Sequence, residues 1–153
     1  MRTRLLSFFV FAACISAHAH PSSLLEKLFR RSGNVIEART LSVTNTGSTS
    51  GYISLVVIEK TYKAHDLKTG DTIAVVMPGK FSGGSSEQGP PADVLLFLPA
   101  ASSHVFASNG KNYRLFRPTD EWLGVHPYSR ELELAVTDFA NGRRHKKTGT
   151  DPV

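Results

Sequence analysis

The fold class of this chain follows from a β-rich run of twelve residues, Gly51-Tyr52-Ile53-Ser54-Leu55-Val56-Val57-Ile58-Glu59-Lys60-Thr61-Tyr62. Valine, isoleucine, tyrosine and threonine are frequent in this run, and such β-branched and aromatic side chains favour strands. A turn at 66–71 follows, in which Gly70 can adopt a positive φ angle, and a second β-rich run lies at 72–77. The two runs predict a long antiparallel hairpin.

Further strand signals lie on both sides of this hairpin. The segment 34–46 alternates imperfectly between apolar and polar residues, and the apolar run at 93–98 is typical of a fully buried strand. Asn109-Gly110 is the strongest two-residue hairpin signal, and it joins predicted strands at 105–106 and 112–116. These segments predict a mainly β domain of five to six strands.

Two helices are predicted at the ends of the β domain. The segment 22–32 begins with an S-x-x-E capping box, in which a hydroxyl and a carboxylate satisfy backbone donors. The segment 129–141 is ambiguous, because its leucines and valine alternate as in a strand and also form a helical stripe. Ser129 as N-cap and Gly142 beyond the end favour the helix.

The first nineteen residues have the three parts of a secretory signal peptide. A positively charged start is followed by an apolar run at 5–15 and by the A-x-A site Ala17-His18-Ala19. We expect cleavage near Ala19 and delivery to the periplasm or the outside of the cell. No apolar stretch reaches the roughly 20 residues that a membrane-spanning helix needs, so no membrane span is expected.

Cys14 offers an alternative to this cleavage site. The residues at 11–14 loosely resemble a bacterial lipoprotein box, in which Cys14 would be lipidated and become the first residue. If cleavage follows Ala19, the mature chain has no cysteine and must fold without disulfides. That composition favours a bacterial exported protein over a small secreted animal domain.

The formal net charge of +5 comes from the ends of the chain. Residues 20–142 contain equal numbers of basic and acidic residues, whereas the tail at 143–153 is strongly basic. A nucleic-acid surface requires lysine and arginine clustered on the folded body. We therefore expect no nucleic-acid partner and predict a disordered basic tail.

Three short patterns connect the strands to a known fold: Val-Ile-Glu-Lys at 57–60, Thr-Gly-Asp-Thr-Ile at 69–73 and Leu-Leu-Phe-Leu at 95–98. Their order is similar to the OB-fold, a small Greek-key barrel, including its secreted netrin-like relatives that inhibit metalloproteinases. The resemblance covers 35–116 and implies an OB-like β-barrel in the domain predicted at 34–142, which follows the N-terminal helix predicted at 20–33. Those inhibitors place an N-terminal cysteine on the target's zinc. The mature chain lacks that cysteine, so no functional residue is carried across.

Two loops are the candidate partner-binding surface. Trp122, His126 and Tyr128 lie within seven residues of one another, and tryptophan and tyrosine are enriched where proteins bind partners. The same aromatic loop could instead be a hydrophobic plug that closes the barrel end. Ser85 and Ser86, in the glycine-rich loop at 83–91, are predicted to extend the surface. The hypothesis is a non-enzymatic binding module, in the manner of an inhibitor, that recognises a protein or a cell-envelope component.

His20 is the candidate metal ligand. Cleavage after Ala19 would place its imidazole beside the free α-amine, and the two together can chelate copper. Cleavage after Ala17 would leave a histidine at the third position, which suits Cu(II) or Ni(II) in a square-planar site. The alternative function is therefore an exported metal-binding protein or enzyme that uses His20.

No catalytic residue is predicted. The serines of the glycine-rich loop lack the G-x-S-x-G elbow that exposes a nucleophile. Asp120 and Glu121 are adjacent in the chain, and adjacency does not place two carboxyl groups across a glycosidic bond. The segment 118–121 is predicted to be a helix start.

Overall fold

The computed structural model describes residues 21–46, 51–79, 91–102 and 104–143, with side chains from residue 24 onward. The predicted signal peptide, the glycine-rich loop and the basic tail after Arg143 lie outside the described residues. Within these ranges the elements in chain order are α1 (Pro21–Arg31), β1 (Asn34–Asn45), β2 (Gly51–Lys63), β3 (Thr72–Pro78), β4 (Asp93–Leu98), β5 (His104–Ser108), β6 (Lys111–Phe116), β7 (Val125–Pro127) and α2 (Arg130–Ala140).

The strands form one mixed sheet in the order β5-β6-β3-β2-β1-β4-β7. The predicted hairpin is confirmed, since the first seven residues of β2 pair antiparallel with the whole of β3. Every neighbouring pair is antiparallel except β3 and β6, which pair in parallel at Ala74 with Leu115 and at Val75 with Phe116. The mainly β fold is thus confirmed.

The strand pairing does not close this sheet into the predicted barrel, because β5 and β7 remain at its two ends. After Phe116 the chain leaves β3 and crosses toward β4, where the Thr119 N–H donates to the Phe97 carbonyl oxygen at 2.8 Å. Pro118 lies within this crossing and has no N–H to contribute to a ladder. The segment that follows β6 is therefore linked to β4 by single backbone hydrogen bonds, and the two do not form a continuous pair of strands here.

Two turns have the backbone conformation that their sequences predict. Asn109 and Gly110 have φ angles of 49° and 73°, so both central residues of the β5–β6 hairpin are left-handed, as a type I′ turn requires. Gly70, before β3, has a φ angle of 92°.

The sheet has a hydrophobic cluster on each face, because successive side chains of a strand point to opposite sides. Both helices pack on one face, where Leu28, Phe29 and Val136 contact Val35, Leu95 and Phe97. The other face forms a cluster that includes Ile36, Ile58, Val75, Leu96 and Phe116. No described helix covers this second cluster, and its burial requires the sheet to curve around it.

Helix α2 is confirmed with the termini that the sequence indicates. The Ser129 Oγ accepts a hydrogen bond from the Leu132 N–H at 3.2 Å. At the other end Gly142 has a φ angle of 69°, and the N–H groups of Gly142 and Arg143 donate to the carbonyls of Phe139 and Asp138. This pair of bonds is the Schellman motif that ends many helices. The strand alternative for 129–141 is wrong. Neither helix in the described part of the chain has the length and apolarity to cross a bilayer.

Candidate functional site: the Trp122 groove

Trp122 is the most exposed large apolar side chain among the described residues, with 76% of its surface accessible. It lies on a tight turn between β6 and β7. The backbone N–H groups of Trp122 and Leu123 each donate to the Asp120 Oδ1 at 2.9 Å, and the Gly124 N–H donates to the Asp120 carbonyl oxygen at 2.8 Å. The helix start expected at 118–121 is therefore a single turn. Asp120 caps that turn and fixes the backbone that carries the exposed indole.

A groove of about 780 Å³ lies beside the indole. One wall is formed by the first residues of β2, 51–53, and by the end of β3 with the residue after it, 76–79. The other wall is formed by Leu115, Arg117, Pro118, Glu121 and Trp122, and Thr46 also lines the opening. This volume is within the range of sites that bind small ligands or short segments of chain. We refer to these residues as the Trp122 groove.

The groove exists because β6 stops pairing with β3 after two residues. β2 pairs with β3 as far as Pro78, whereas the β6 pairing ends at Val75. Two backbone hydrogen bonds draw the chain after Phe116 toward Phe97, from the Thr119 N–H to the Phe97 carbonyl and from the Phe97 N–H to the Gly124 carbonyl. Among the described strands, none pairs with the outer edge of β3 from Val76 onward.

The His126 side chain is partly buried and contacts Leu123 and Phe97. His126 belongs to β7, a strand that lies within the predicted aromatic loop and pairs with β4. Its Nε2 lies 2.6 Å from the Leu123 carbonyl oxygen, and its ring packs edge-on against Phe97 with centroids 5.9 Å apart. Since a carbonyl oxygen only accepts, Nε2 must carry a proton and donate. Burial lowers the pKa of His126 below its ordinary value, and the Leu123 carbonyl partly opposes that shift.

This lowered pKa predicts acid sensitivity. The unfolded chain has the ordinary histidine pKa of 6.5 and takes up the proton before the folded chain does, so stability should fall as the pH drops below about 6.5. We expect His126→Gln, which keeps a neutral N–H donor, to show a shallower loss of unfolding free energy between pH 7.5 and 5.5. Urea unfolding at both pH values measures this change in unfolding free energy. His65→Gln, at an exposed position, is the control. Equal slopes for the wild type and His126→Gln would contradict the expectation.

Tyr128 lies in a polar cluster that joins α2 to the sheet. Its hydroxyl donates to the Glu133 Oε2 at 2.6 Å, and the Lys60 Nζ lies 2.7 Å from the Glu133 Oε1. The carboxylate raises the pKa of Tyr128, while the hydrogen bond from Lys60 is the main cause that lowers the pKa of Glu133. Nearby, the Tyr62 hydroxyl donates to the Glu37 Oε2 at 2.9 Å. Burial is the main cause that raises the pKa of Tyr62, and this hydrogen bond is the second.

The structure separates the three aromatic-loop residues. Trp122 lines the groove, whereas His126 and Tyr128 are not among its lining residues. Ser85, Ser86 and His20 lie outside the described residues. The partner-binding role of the set and the metal role of His20 stay predictions. Within 21–46, 51–79, 91–102 and 104–143, no group of three or more His, Cys, Asp or Glu side chains is placed to hold a metal ion.

The wall formed by β2 and β3 was not predicted from the sequence. Tyr52, Ile53 and Val76 were assigned to strands without any suggestion that their ends border an opening. A signal was present in Pro78 and Pro118, because a residue without an N–H marks a point where a ladder stops. The fold brings Pro78, at the end of β3, close to Pro118, after β6, and the two segments do not pair there.

Comparison with known proteins returned no match, either among protein-family models or among curated proteins.

Proposed function

We propose that the protein is an exported, non-enzymatic binding module that uses the Trp122 groove to recognise a protein partner in the cell envelope or outside the cell. The observation that carries the proposal is the 76% exposure of the indole on a turn held by Asp120. Burying a tryptophan from such a position contributes a large apolar area, and tryptophan is among the residues that dominate binding energies. The preformed turn also lowers the entropy lost on binding.

We also propose an OB-like, partly open barrel as the finer description of 34–142. Support comes from the curved sheet with its buried inner cluster and from the two hydrogen bonds that link Phe97 to Thr119 and Gly124. OB-folds bind ligands on the face of their second and third strands. The Trp122 groove borders the ends of β2 and β3, in agreement with a binding role.

The experiment is capture of partners from an envelope extract by the wild type and by Trp122→Ala. We expect the variant to lose the partner, because truncating a central aromatic anchor costs about 2 kcal/mol or more, which is roughly thirtyfold in affinity. Val105→Ala is the matched control, since Val105 is 65% exposed in β5 and is not among the groove's lining residues. Retention of every partner by Trp122→Ala would refute the proposal.

A further inference from the structure

We propose that the segment bound in the Trp122 groove is a short proline-rich stretch of the partner in the polyproline II conformation, with an acidic residue at the end that meets Arg117. This inference rests on the proposed function and specifies the chemistry of its ligand.

The size of the groove favours a short segment over a folded surface or a second copy of this chain. Stable interfaces between folded proteins bury about 800 Å² on each partner and involve about 20–30 residues a side. The groove is lined by thirteen described residues around a volume of about 780 Å³. A few residues of extended chain fill such a space, whereas a folded domain would contact mainly its rim.

The edge of β3 argues against binding by strand addition. An added strand needs alternating N–H and C=O groups along the edge, and β3 ends in Pro78, which has no N–H. Proline at an edge is one of the features by which proteins prevent strand addition. A polyproline II segment forms no backbone ladder, so the missing N–H of Pro78 does not weaken its binding.

The side chains of the groove fit such a segment. Proline-rich segments dock in aromatic-lined grooves, and here Trp122 and Tyr52 lie with Pro118 around one opening. The indole N–H of Trp122 has no hydrogen-bond acceptor among the described residues. It is therefore available to a backbone carbonyl of the bound segment, which in polyproline II has no internal partner.

Arg117 is the group on the rim that would pair with an acidic flanking residue. Arg117 is exposed and forms no ion pair with any described residue, and Glu121 lies on the same wall. An acidic residue placed next to the proline run can pair with Arg117. An exposed ion pair of this kind contributes up to about 1 kcal/mol, so it adjusts affinity without dominating it.

The test uses the fluorescence of Trp122, the one tryptophan of the chain, as the signal. Three peptides of equal length are titrated: a proline run preceded by glutamate, the same run preceded by lysine, and an alternating valine–threonine peptide preceded by glutamate. We expect saturable binding of the first peptide, about threefold weaker binding of the second, and no saturation by the third. Arg117→Glu should reverse the preference between the first two.

Equal or tighter binding of the valine–threonine peptide would overturn the inference in favour of strand addition. Absence of binding by both proline peptides would also overturn it, and an unchanged charge preference in Arg117→Glu would refute the part assigned to Arg117. If envelope capture still depends on Trp122 in either of the first two cases, the proposed function stands and only the ligand chemistry is wrong. Loss of that dependence would instead refute the proposed function.

Discussion

Replacing Phe97 with alanine is expected to lower the free energy of unfolding by about 3–5 kcal/mol, the range for truncating a fully buried phenylalanine. The Phe97 side chain is completely buried in the cluster beneath the two helices and carries the edge-on contact with His126. Its removal would leave a cavity where α1, α2 and β7 meet. The backbone of the same residue holds the crossing segment through Thr119 and Gly124, so the Trp122 turn should loosen as well.

Chemical unfolding followed by circular dichroism measures this effect, since it does not depend on the tryptophan environment. Leu134→Ala is the control, because Leu134 is half exposed on α2 and its truncation should change stability by no more than about 0.5 kcal/mol. A loss below 1.5 kcal/mol for Phe97→Ala, well under the lower bound given for such truncations, would contradict the expected cost of the cavity.

Gly124→Ala is expected to destabilise the protein by about 1–3 kcal/mol and to weaken binding in the groove. A Cβ at this position would lie 2.5 Å from both the Asp120 carbonyl oxygen and the Pro118 Cβ. The carbonyl oxygen cannot move away without stretching its hydrogen bond to the Gly124 N–H, which closes the turn. The added methyl group therefore distorts the backbone turn that carries Trp122.

Urea unfolding and quenching of Trp122 fluorescence by acrylamide test this expectation together. The midpoint should fall, and the quenching should change because the backbone turn that carries the indole is distorted. Glu121→Ala, in the same turn with an exposed side chain, should leave both quantities near their wild-type values. An unchanged midpoint and unchanged quenching in Gly124→Ala would show that the turn tolerates the methyl group and does not depend on this contact.

Much of the secondary structure could be predicted because its signals are local. The β-rich runs of β2 and β3, the Asn109-Gly110 turn and the caps of α2 at Ser129 and Gly142 all specify backbone conformation within a few residues. Such features depend on intrinsic preferences and on hydrogen bonds between near neighbours in the chain.

β7 was missed for the opposite reason. Its three residues follow a turn and include Pro127, and they form a strand only because β4 presents an edge to them. Short segments of this kind have little propensity of their own, and tertiary pairing determines their conformation. The same pairing places the His126 ring against Phe97 and outside the residues that line the Trp122 groove.

The sequence by itself determined the mainly β class, the central hairpin, the two helices and the chemical character of Trp122, because each depends on side-chain type and local spacing. Only the tertiary structure decided that Trp122 faces a groove while His126 and Tyr128 are held elsewhere. The physical reason is that the groove lies where β6 leaves β3 and the chain crosses to Phe97. That departure brings together residues far apart in the chain, and no local pattern records their contact.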